Sequence, residues 1–299
     1  METFDPVDLK ILFELQKNSR TSYRILGRAT GMSGVTVKKR IDRMIKQGII
    51  DRFITFVDYR IFGYKEVYLT LGGYSRRSKD HENIFSILNL MGRISLYIPC
   101  IGDINAFHIL IKEDAQQKIS DIRKILQRFI VNVVYDSAGS FRFTKLAITD
   151  YEIMHVLIKN PQMQINEIAR EVSLSKKTVK RRIKTLTDKG ILRFGICHNL
   201  QKISGYIPFA ILLHTNTDNF NIVKKIQKIV DSNFLTEPYV NAKIVVLHLH
   251  CSNIYIANEI FEQIRDINGI DKAQVFFPND IIYYQKWLIE ELERHHSYM

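Results

Sequence analysis

Near the start of the chain, apolar residues recur with the spacing of a helix. Leu9, Leu12 and Leu15 lie three positions apart and therefore share one face. A second short helix is predicted over residues 23–30. Gly31 then interrupts the pattern, which predicts the sharp turn that joins the two helices of a helix-turn-helix.

The next segment predicts a third helix from about residue 34 to residue 47. Val37, Ile41 and Met44 form an apolar stripe along it, and a glycine follows its end. Residues 49–57 are rich in β-branched and aromatic residues, which predicts a strand. Three helices followed by a strand make a winged helix-turn-helix.

This whole front segment occurs twice. An offset of 142 residues aligns residues 8–64 with residues 150–206 without gaps, and 18 of the 57 aligned positions are identical. A helix-capping serine recurs in both copies, as Ser33 and Ser175. The period is too long for a solenoid repeat, so the chain is predicted to hold a duplicated domain pair.

A different alternation follows each front segment. After the first, the pattern predicts β-α-β-β-α-β over residues 65–74, 79–91, 94–101, 104–111, 114–128 and 130–136. The second copy gives the same order, which is the ferredoxin-like split motif. A final helix near residues 281–293, around Trp287, has no counterpart in the first copy and is interpreted as a packing or dimerising element.

The predicted fold class is therefore α+β, with two winged helix-turn-helix domains and two ferredoxin-like (βαββαβ) domains in tandem. The winged helix-turn-helix domains are expected over residues 1–64 and 141–206. The ferredoxin-like domains are expected over residues 65–140, with an effector or oligomerisation role, and over residues 207–299, which include the C-terminal helix.

The distribution of charge points to a partner. Hydrophobic residues at 46% and charged residues at 25% are typical of a globular protein, and the formal net charge is +12. Residues 1–64 and 149–206 carry +5 and +6 of that charge, whereas residues 207–299 carry −3. The positive charge lies where a helix-turn-helix meets nucleic acid, which predicts double-stranded DNA as the partner.

The third helix of such a domain fits the major groove, where exposed side chains reach base edges and cations neutralise phosphates. The residues predicted to contact DNA are Gly34, Val35, Thr36, Lys38, Lys39, Arg40 and Arg43 in the first copy, and Lys176, Lys177, Thr178, Lys180, Arg181 and Arg182 in the second. The alternative is that these residues form a charged helix face that only contacts solvent. The helix-turn-helix context and the duplication argue against this alternative. If Arg182 meets a phosphate, its removal should make the salt dependence of DNA binding shallower by about one unit.

Several short motifs characterise the first half of the chain: residues 5–12, residues 31–41, Gly48 with two isoleucines, Gly63-Tyr64 and Gly102-Asp103. Together they resemble the Lrp/AsnC (feast/famine) transcription regulators, and the resemblance covers essentially the whole chain, twice over. It implies a sequence-specific DNA-binding regulator whose units pair through their ferredoxin-like sheets. The pairing is expected either within one chain, as a pseudo-dimer, or between chains, as a homodimer.

The resemblance also places a candidate site for a small-molecule effector at Gly102, Asp103 and Asn105. The family signature is commonly Gly-Asp, one residue, then Asp. Because Asn105 replaces the last Asp, an amino-acid ammonium would lose one anionic partner. The second copy has Asn-Ala-Lys at residues 241–243 in that region, so its pocket is expected to be altered or absent. The alternative is that Gly102-Asp103 is only a tight hairpin turn.

No cofactor, metal site or catalytic residue is predicted. His248 and His250 alternate on one face of a strand next to Cys251, but a third ligand at suitable spacing is not visible. The sequence also shows no Gly-rich phosphate loop, nucleophile elbow or paired carboxylates at a strand end. Three widely spaced cysteines and the absence of a signal-peptide pattern favour a cytoplasmic protein.

Two other functions stay open. Siroheme decarboxylases are similar in architecture, because they pair an AsnC-type winged helix with a ferredoxin-like domain, and they are enzymes. The His- and Arg-rich tetrapyrrole-binding stretch expected of them is not seen in this sequence. Winged helices also bind proteins, so one of the two could serve DNA and the other a protein.

Overall fold

In the computed structural model, which describes residues 4–136, 146–230, 233–241 and 244–297, the chain begins with the predicted winged helix-turn-helix. Its elements are α1 (Pro6–Lys17), α2 (Tyr23–Thr30), α3 (Gly34–Lys46) and the wing strand β1 (Ile50–Val57). The Ser33 hydroxyl caps α3 by accepting a hydrogen bond from the Thr36 N–H at 3.1 Å. Gly31 and Gly48 both have φ near +71°, so the predicted turn and helix end are confirmed.

The first ferredoxin-like domain follows directly after a short 3-10 turn. Its elements are β2 (Lys65–Leu71), α4 (Lys79–Met91), β3 (Arg93–Pro99), β4 (Asn105–Ile111), α5 (Ala115–Ile125) and β5 (Ile130–Asp136). The strands form an antiparallel sheet in the order β5-β2-β4-β3. Tyr97 and Phe107 are the largest side chains of its core, packed with apolar residues from both helices.

The second half repeats both domains. Its winged helix-turn-helix consists of α6 (Ile148–Lys159), α7 (Ile165–Glu171), α8 (Lys176–Asp188) and β6 (Leu192–His198). Its ferredoxin-like domain consists of β7 (Ile207–Thr215), α9 (Asn219–Val230), β8 (Tyr239–Val240), β9 (Ile244–Cys251), α10 (Ile254–Arg265) and β10 (Ile270–Phe276). The strand order β10-β7-β9-β8 matches that of the first copy, so the predicted α+β fold class is confirmed.

The C-terminal segment differs from its prediction. Its first residues do not belong to a helix, because Ile282 and Tyr283 form a short strand β11 (Ile282–Tyr283) that adds to the open edge of β3. The helix α11 (Lys286–Ser297) begins after it. Trp287 is buried there among aromatic residues of the first half of the chain, with ring centroids 5.6 Å from Tyr64. These contacts are those of a packing element, which is one of the two roles interpreted for this helix from the sequence.

The two wing strands pair with each other. β1 and β6 form an antiparallel ribbon in which Phe53 lies opposite Ile196 and Ile54 lies opposite Gly195. Gly195 and Ile196 are the counterparts of Phe53 and Ile54 at the 142-residue offset. The two winged helix-turn-helix domains are therefore related by a pseudo-two-fold axis through the ribbon.

Contacts between loops obey the same symmetry. The Arg20 guanidinium donates hydrogen bonds to the carbonyl oxygens of Pro161, at 2.6 Å, and Met163, at 2.8 Å. Gln162, the counterpart of Arg20, donates from its amide to the carbonyl oxygen of Ser19 at 3.2 Å. The ribbon and these bonds fix the position of one winged helix-turn-helix against the other.

Each winged helix-turn-helix packs on the opposite half of the chain. The core of the first one is completed by Leu200, Ile203 and Leu235, which follow β6. The core of the second one is completed by Phe62 and Tyr64, which follow β1. Residues of α11, from its own half of the chain, also pack in this core. The domains are consecutive in sequence but crossed in space, which the sequence did not predict.

The two ferredoxin-like sheets also meet within the chain. Val134, Leu212 and Ile244 are buried together between them. Asn132 donates a hydrogen bond to its own counterpart, Gln274, which places the pseudo-two-fold axis at this contact as well. The two sheets are therefore in contact within a single chain, and a homodimer stays a prediction.

Glu66 is the main polar group at this junction. Its buried carboxylate accepts hydrogen bonds from the hydroxyls of Tyr59 and Tyr239 and lies 3.1 Å from His108 Nε2. Burial alone would raise the pKa of Glu66, but the interactions with His108, Tyr239 and Tyr59 outweigh it and bring the pKa to about 2. Because Tyr239 comes from the second half, the ionised carboxylate stabilises the contact between the halves.

This carboxylate predicts a pH dependence of stability. The pKa of Glu66 falls from 4.5 in the unfolded chain to about 2 in the folded one. Its contribution, about 3 kcal/mol, should therefore be fully present above pH 4.5 and lost as the pH falls through 2. Urea unfolding of wild type and Glu66→Gln at several pH values should give curves that converge in acid. The exposed control Glu82→Gln should show no such convergence, and parallel curves for Glu66→Gln would contradict the assignment.

Candidate nucleic-acid interface

The start of α3 presents an exposed face. Val35 is 68% exposed, and Thr36, Lys38 and Lys39 are exposed beside it. Gly34 is half-buried, and a Cβ at its position would lie 3.3 Å from the backbone of Tyr23, so this residue mainly permits the close approach of α2. Lys38 forms an ion pair with Asp42 at 2.6 Å along the helix, which moderates its charge.

Two predicted DNA contacts of α3 are directed into the domain instead. Arg40 Nη1 lies 2.8 Å from Asp5 and 2.9 Å from Asp8, and Arg43 also pairs with Asp8. The Asp8 carboxylate is fully buried, so it requires these cations. Asp5 in turn caps α1, and its pKa is lowered: burial alone would raise it, but bonds to the Asp8 backbone and to Arg40 outweigh that effect. The two arginines join α3 to α1.

The second recognition helix, α8, is more strongly cationic. Lys176, Lys177, Lys180 and Arg181 are all exposed near its start. Thr178 is half-buried and, like Thr36 in the first copy, its hydroxyl interacts with that of the capping serine. Arg182 is directed inward and lies 2.9 Å from the buried Asp150.

The DNA contacts expected of Arg40, Arg43 and Arg182 stay predictions, and in the free protein each of these guanidiniums is paired with a buried carboxylate. A guanidinium that neutralises a buried carboxylate contributes to stability and is withdrawn from the groove-facing side. The signal was present in the sequence, because Asp8 with Arg40 recurs as Asp150 with Arg182 at the same spacing. Acidic and basic residues retained together in both copies indicate a pair.

Two further exposed arginines recur in both copies and were not among the predicted site residues. Arg28 and Arg170 are exposed in the last turns of α2 and α7 and occupy equivalent positions in the two copies. The first helix of a helix-turn-helix crosses the DNA backbone, where cations meet phosphates. Their recurrence at equivalent positions of both copies is the signal that the sequence offers for them.

The proposed effector residues lie at the hairpin between β3 and β4. Gly102 and Asp103 have φ of +83° and +56°, and the Cys100 N–H donates to the Ile104 carbonyl across the turn at 2.8 Å. Asn105 is buried and accepts a hydrogen bond from the Tyr97 hydroxyl at 2.7 Å. The geometry is that of a hairpin turn. An effector role for these residues stays a prediction, and residues 242–243 of the second copy lie outside the described residues.

On β9, His248 is partly buried. His248 Nδ1 lies 3.3 Å from the Thr236 hydroxyl, and burial lowers its pKa to about 4. The Cys251 thiol donates to the Asn253 carbonyl at 3.0 Å. Within the described part of the chain, no three His, Cys, Asp or Glu side chains come together as metal ligands would. None of the described helices is both long enough and apolar enough to span a membrane.

Comparison with known proteins gives the family. The model of winged helix-turn-helix DNA-binding domains matches residues 4–51 and again residues 146–193. The HTH-type transcriptional regulator Ptr1 of Methanocaldococcus jannaschii is 33% identical over 131 residues, which are 44% of this chain and 82% of the relative. The regulatory protein AsnC of Haemophilus influenzae is 33% identical over 88 residues, 29% of this chain and 58% of the relative. The chain belongs to the Lrp/AsnC family and holds the family unit twice.

A solved structure matches the architecture over the whole length. The crystal structure of the siroheme decarboxylase NirDL covers 98% of this chain and 99% of its own, with a TM-score of 0.51 and 13% sequence identity. At that identity the likeness concerns the fold alone.

Arg181 and Arg182 are neighbours with opposite orientations, which allows a matched test. Arg182→Ala should strand the buried Asp150 carboxylate and lower the free energy of unfolding by about 1–3 kcal/mol, with an unchanged salt dependence of DNA binding. Arg181→Ala should leave stability within about 0.5 kcal/mol and make the salt dependence shallower by about one unit. Urea unfolding and salt-dependent fluorescence anisotropy measure the two effects. A shallower slope with intact stability for Arg182→Ala would restore the DNA contact expected from the sequence.

Proposed function

We propose that the chain is a sequence-specific regulator of transcription that grips double-stranded DNA with two helix-turn-helix units of a single chain. The observation that carries this proposal is the pseudo-two-fold pairing of β1 with β6. It holds two exposed cationic recognition helices, α3 and α8, in one fixed arrangement. Members of the family need two units to present two such helices, and this chain contains both.

The arrangement suits successive turns of one DNA duplex. Two recognition helices related by a two-fold axis bind half-sites about 10 base pairs apart, or a multiple of that spacing. The ribbon and the Arg20 bonds to Pro161 and Met163 resist a change in the separation of the helices. The protein should therefore tolerate poorly any insertion between the half-sites that is not a whole helical turn.

The two half-sites are expected to differ. α3 offers the exposed apolar side chain of Val35, which suits contact with a thymine methyl group. At the equivalent position α8 offers Lys177, with Lys176 beside it, and lysine suits guanine O6 and N7 or a phosphate. The operator should be asymmetric, and the protein should bind it in one orientation.

The ferredoxin-like sheets cover each other within one chain, so a single chain suffices for this mode of binding. We propose that an effector bound at Gly102, Asp103 and Asn105 regulates the protein. The protein is expected to be located in the cytoplasm, together with the DNA. We also propose that it is not an enzyme. The named regulators share 33% identity with it, whereas the decarboxylase shares 13%.

The decarboxylase alternative has a direct test. Protein purified from cells that make tetrapyrroles, and protein incubated with an iron porphyrin, should show no specific visible absorbance band. Saturable development of such a band at one equivalent per chain would favour tetrapyrrole binding. Lys39→Ala offers a control for non-specific association, because that residue is exposed on α3.

An exchange of residues between the copies tests the DNA-reading model. Val35→Lys gives α3 the side chain that α8 has at the equivalent position, and Lys177→Val does the reverse. Selection of bound sites from random DNA should give two unequal half-sites for wild type, about 10 base pairs or a multiple apart. Val35→Lys should shift the preference in one half-site only, toward that of the other. Identical half-sites for wild type, or no change in either variant, would contradict the model.

A further inference from the structure

A cleft lies beside the second recognition helix, and contact with base edges in the DNA groove does not account for its presence. It has a volume of about 220 Å³ and lies between the first turn of α6 and one flank of α8. Arg181 and Thr185 line it from successive turns of α8, and Lys189, the residue that caps the end of this helix, also lines it. Asp150 of α6 and its partner Arg182 complete the lining. It is smaller than the roughly 300 Å³ of pockets that hold drug-sized ligands. A small molecule or a single chemical group fits such a space.

The first copy shows how this space is normally filled. The counterpart of Thr185 is Arg43, whose guanidinium pairs with the buried Asp8 on the flank of α3. The counterpart of Ala147 is Asp5, which pairs with Arg40. In the second copy the acidic and the basic side chain are both replaced by small residues. These shorter neutral side chains leave room for the cleft, and the buried Asp150 keeps Arg182 as its cationic partner.

The charges that remain are unbalanced. Three cationic side chains, those of Arg181, Arg182 and Lys189, line the cleft with one carboxylate. That carboxylate, on Asp150, already accepts hydrogen bonds from Arg182, at 2.9 Å, and from the Ala147 N–H, at 3.0 Å. Among the described residues, no acceptor lies within hydrogen-bond distance of the buried Arg182 Nε. The counterpart of Lys189 is the neutral Gln47, so the second copy has gained a cation at the rim.

We propose that this cleft binds an oxyanion, a phosphate or a carboxylate group, held by Arg181, Arg182 and Lys189. A guanidinium presents several donors in a plane that matches two oxygens of such a group. Lys189 adds a point charge at the open side, and the Thr185 side chain is short enough to leave room. Arg181 belongs both to the exposed start of α8 and to this cleft, whereas Thr185 and Lys189 lie outside the predicted groove-reading residues.

The oxyanion has two possible sources, a free small molecule or a phosphate of bound DNA, and the experiment separates them. In the first arm, inorganic phosphate is titrated into the full chain and followed by ³¹P NMR. Wild type should bind it saturably. Thr185→Arg, which restores the side chain of the first copy, should raise the dissociation constant about tenfold or more because it fills the cleft. Lys189→Gln, which restores Gln47, should also weaken binding.

The matched control is Lys184→Gln on the same helix. Lys184 is exposed, pairs with Asp188 at 2.6 Å and does not line the cleft. This variant should bind phosphate as wild type does. Circular dichroism checks that Thr185→Arg is folded, and Lys189→Gln, a surface change, provides the test if it is not.

In the second arm, the salt dependence of DNA binding is measured for Lys189→Gln and Lys184→Gln. If only Lys189→Gln has a slope shallower by about one unit, and wild type does not bind free phosphate, the oxyanion in the cleft is a DNA phosphate. Phosphate binding that Thr185→Arg and Lys189→Gln weaken supports a free ligand. Equal phosphate binding by wild type and all three variants, or none, together with equal DNA slopes would overturn the proposal.

Discussion

The antiparallel pairing of β1 with β6 is the constraint on which the rest of the structure depends. A two-stranded ribbon has only marginal stability by itself, so other elements must pack on it. Each strand of this ribbon is contacted by a helix from the other half of the chain. The Thr55 hydroxyl donates to the Leu157 carbonyl of α6 at 2.6 Å, and the Ile196 N–H donates to the Gln16 side chain of α1 at 3.2 Å. Gly195 leaves room for that side chain, because a Cβ there would lie 2.9 Å from the Gln16 Oε1 and would require it to shift. Both helix-turn-helix domains are thereby fixed to one ribbon.

The crossing makes each half incomplete without the other. Residues after β1 enter the core of the second helix-turn-helix, and residues after β6 enter the core of the first. The sheets then close the arrangement through Val134 and Leu212, with the Glu66 carboxylate bonded to Tyr239 across the junction. Two separate subunits would have to associate to form this pairing and would lose translational and rotational entropy. Here the pairing forms within one chain, so that entropy is not lost.

Local patterns were sufficient to predict the elements but not their partners. The helices over Tyr23–Thr30 and Lys79–Met91 agree with the sequence prediction to the residue, because periodicity and capping are properties of neighbouring positions. Ile282 and Tyr283 were assigned to a helix because their strand exists only through pairing with β3, far away in sequence. The ion pairs of Arg40 and Arg182 were not predicted for the same reason: their carboxylate partners lie on another helix.

The two copies have diverged where pairing imposes no constraint. Positions that meet at the axis must fit their own counterparts, as Asn132 fits Gln274, so changes there must satisfy both sides at once. The outer faces of α3 and α8 meet no such condition, and they carry different residues at Val35 and Lys177. The buried carboxylate and its arginine do meet such a condition, and both copies keep them, as Asp8 with Arg40 and as Asp150 with Arg182. Duplication within one chain thus preserves the two-fold scaffold while the two binding surfaces become different.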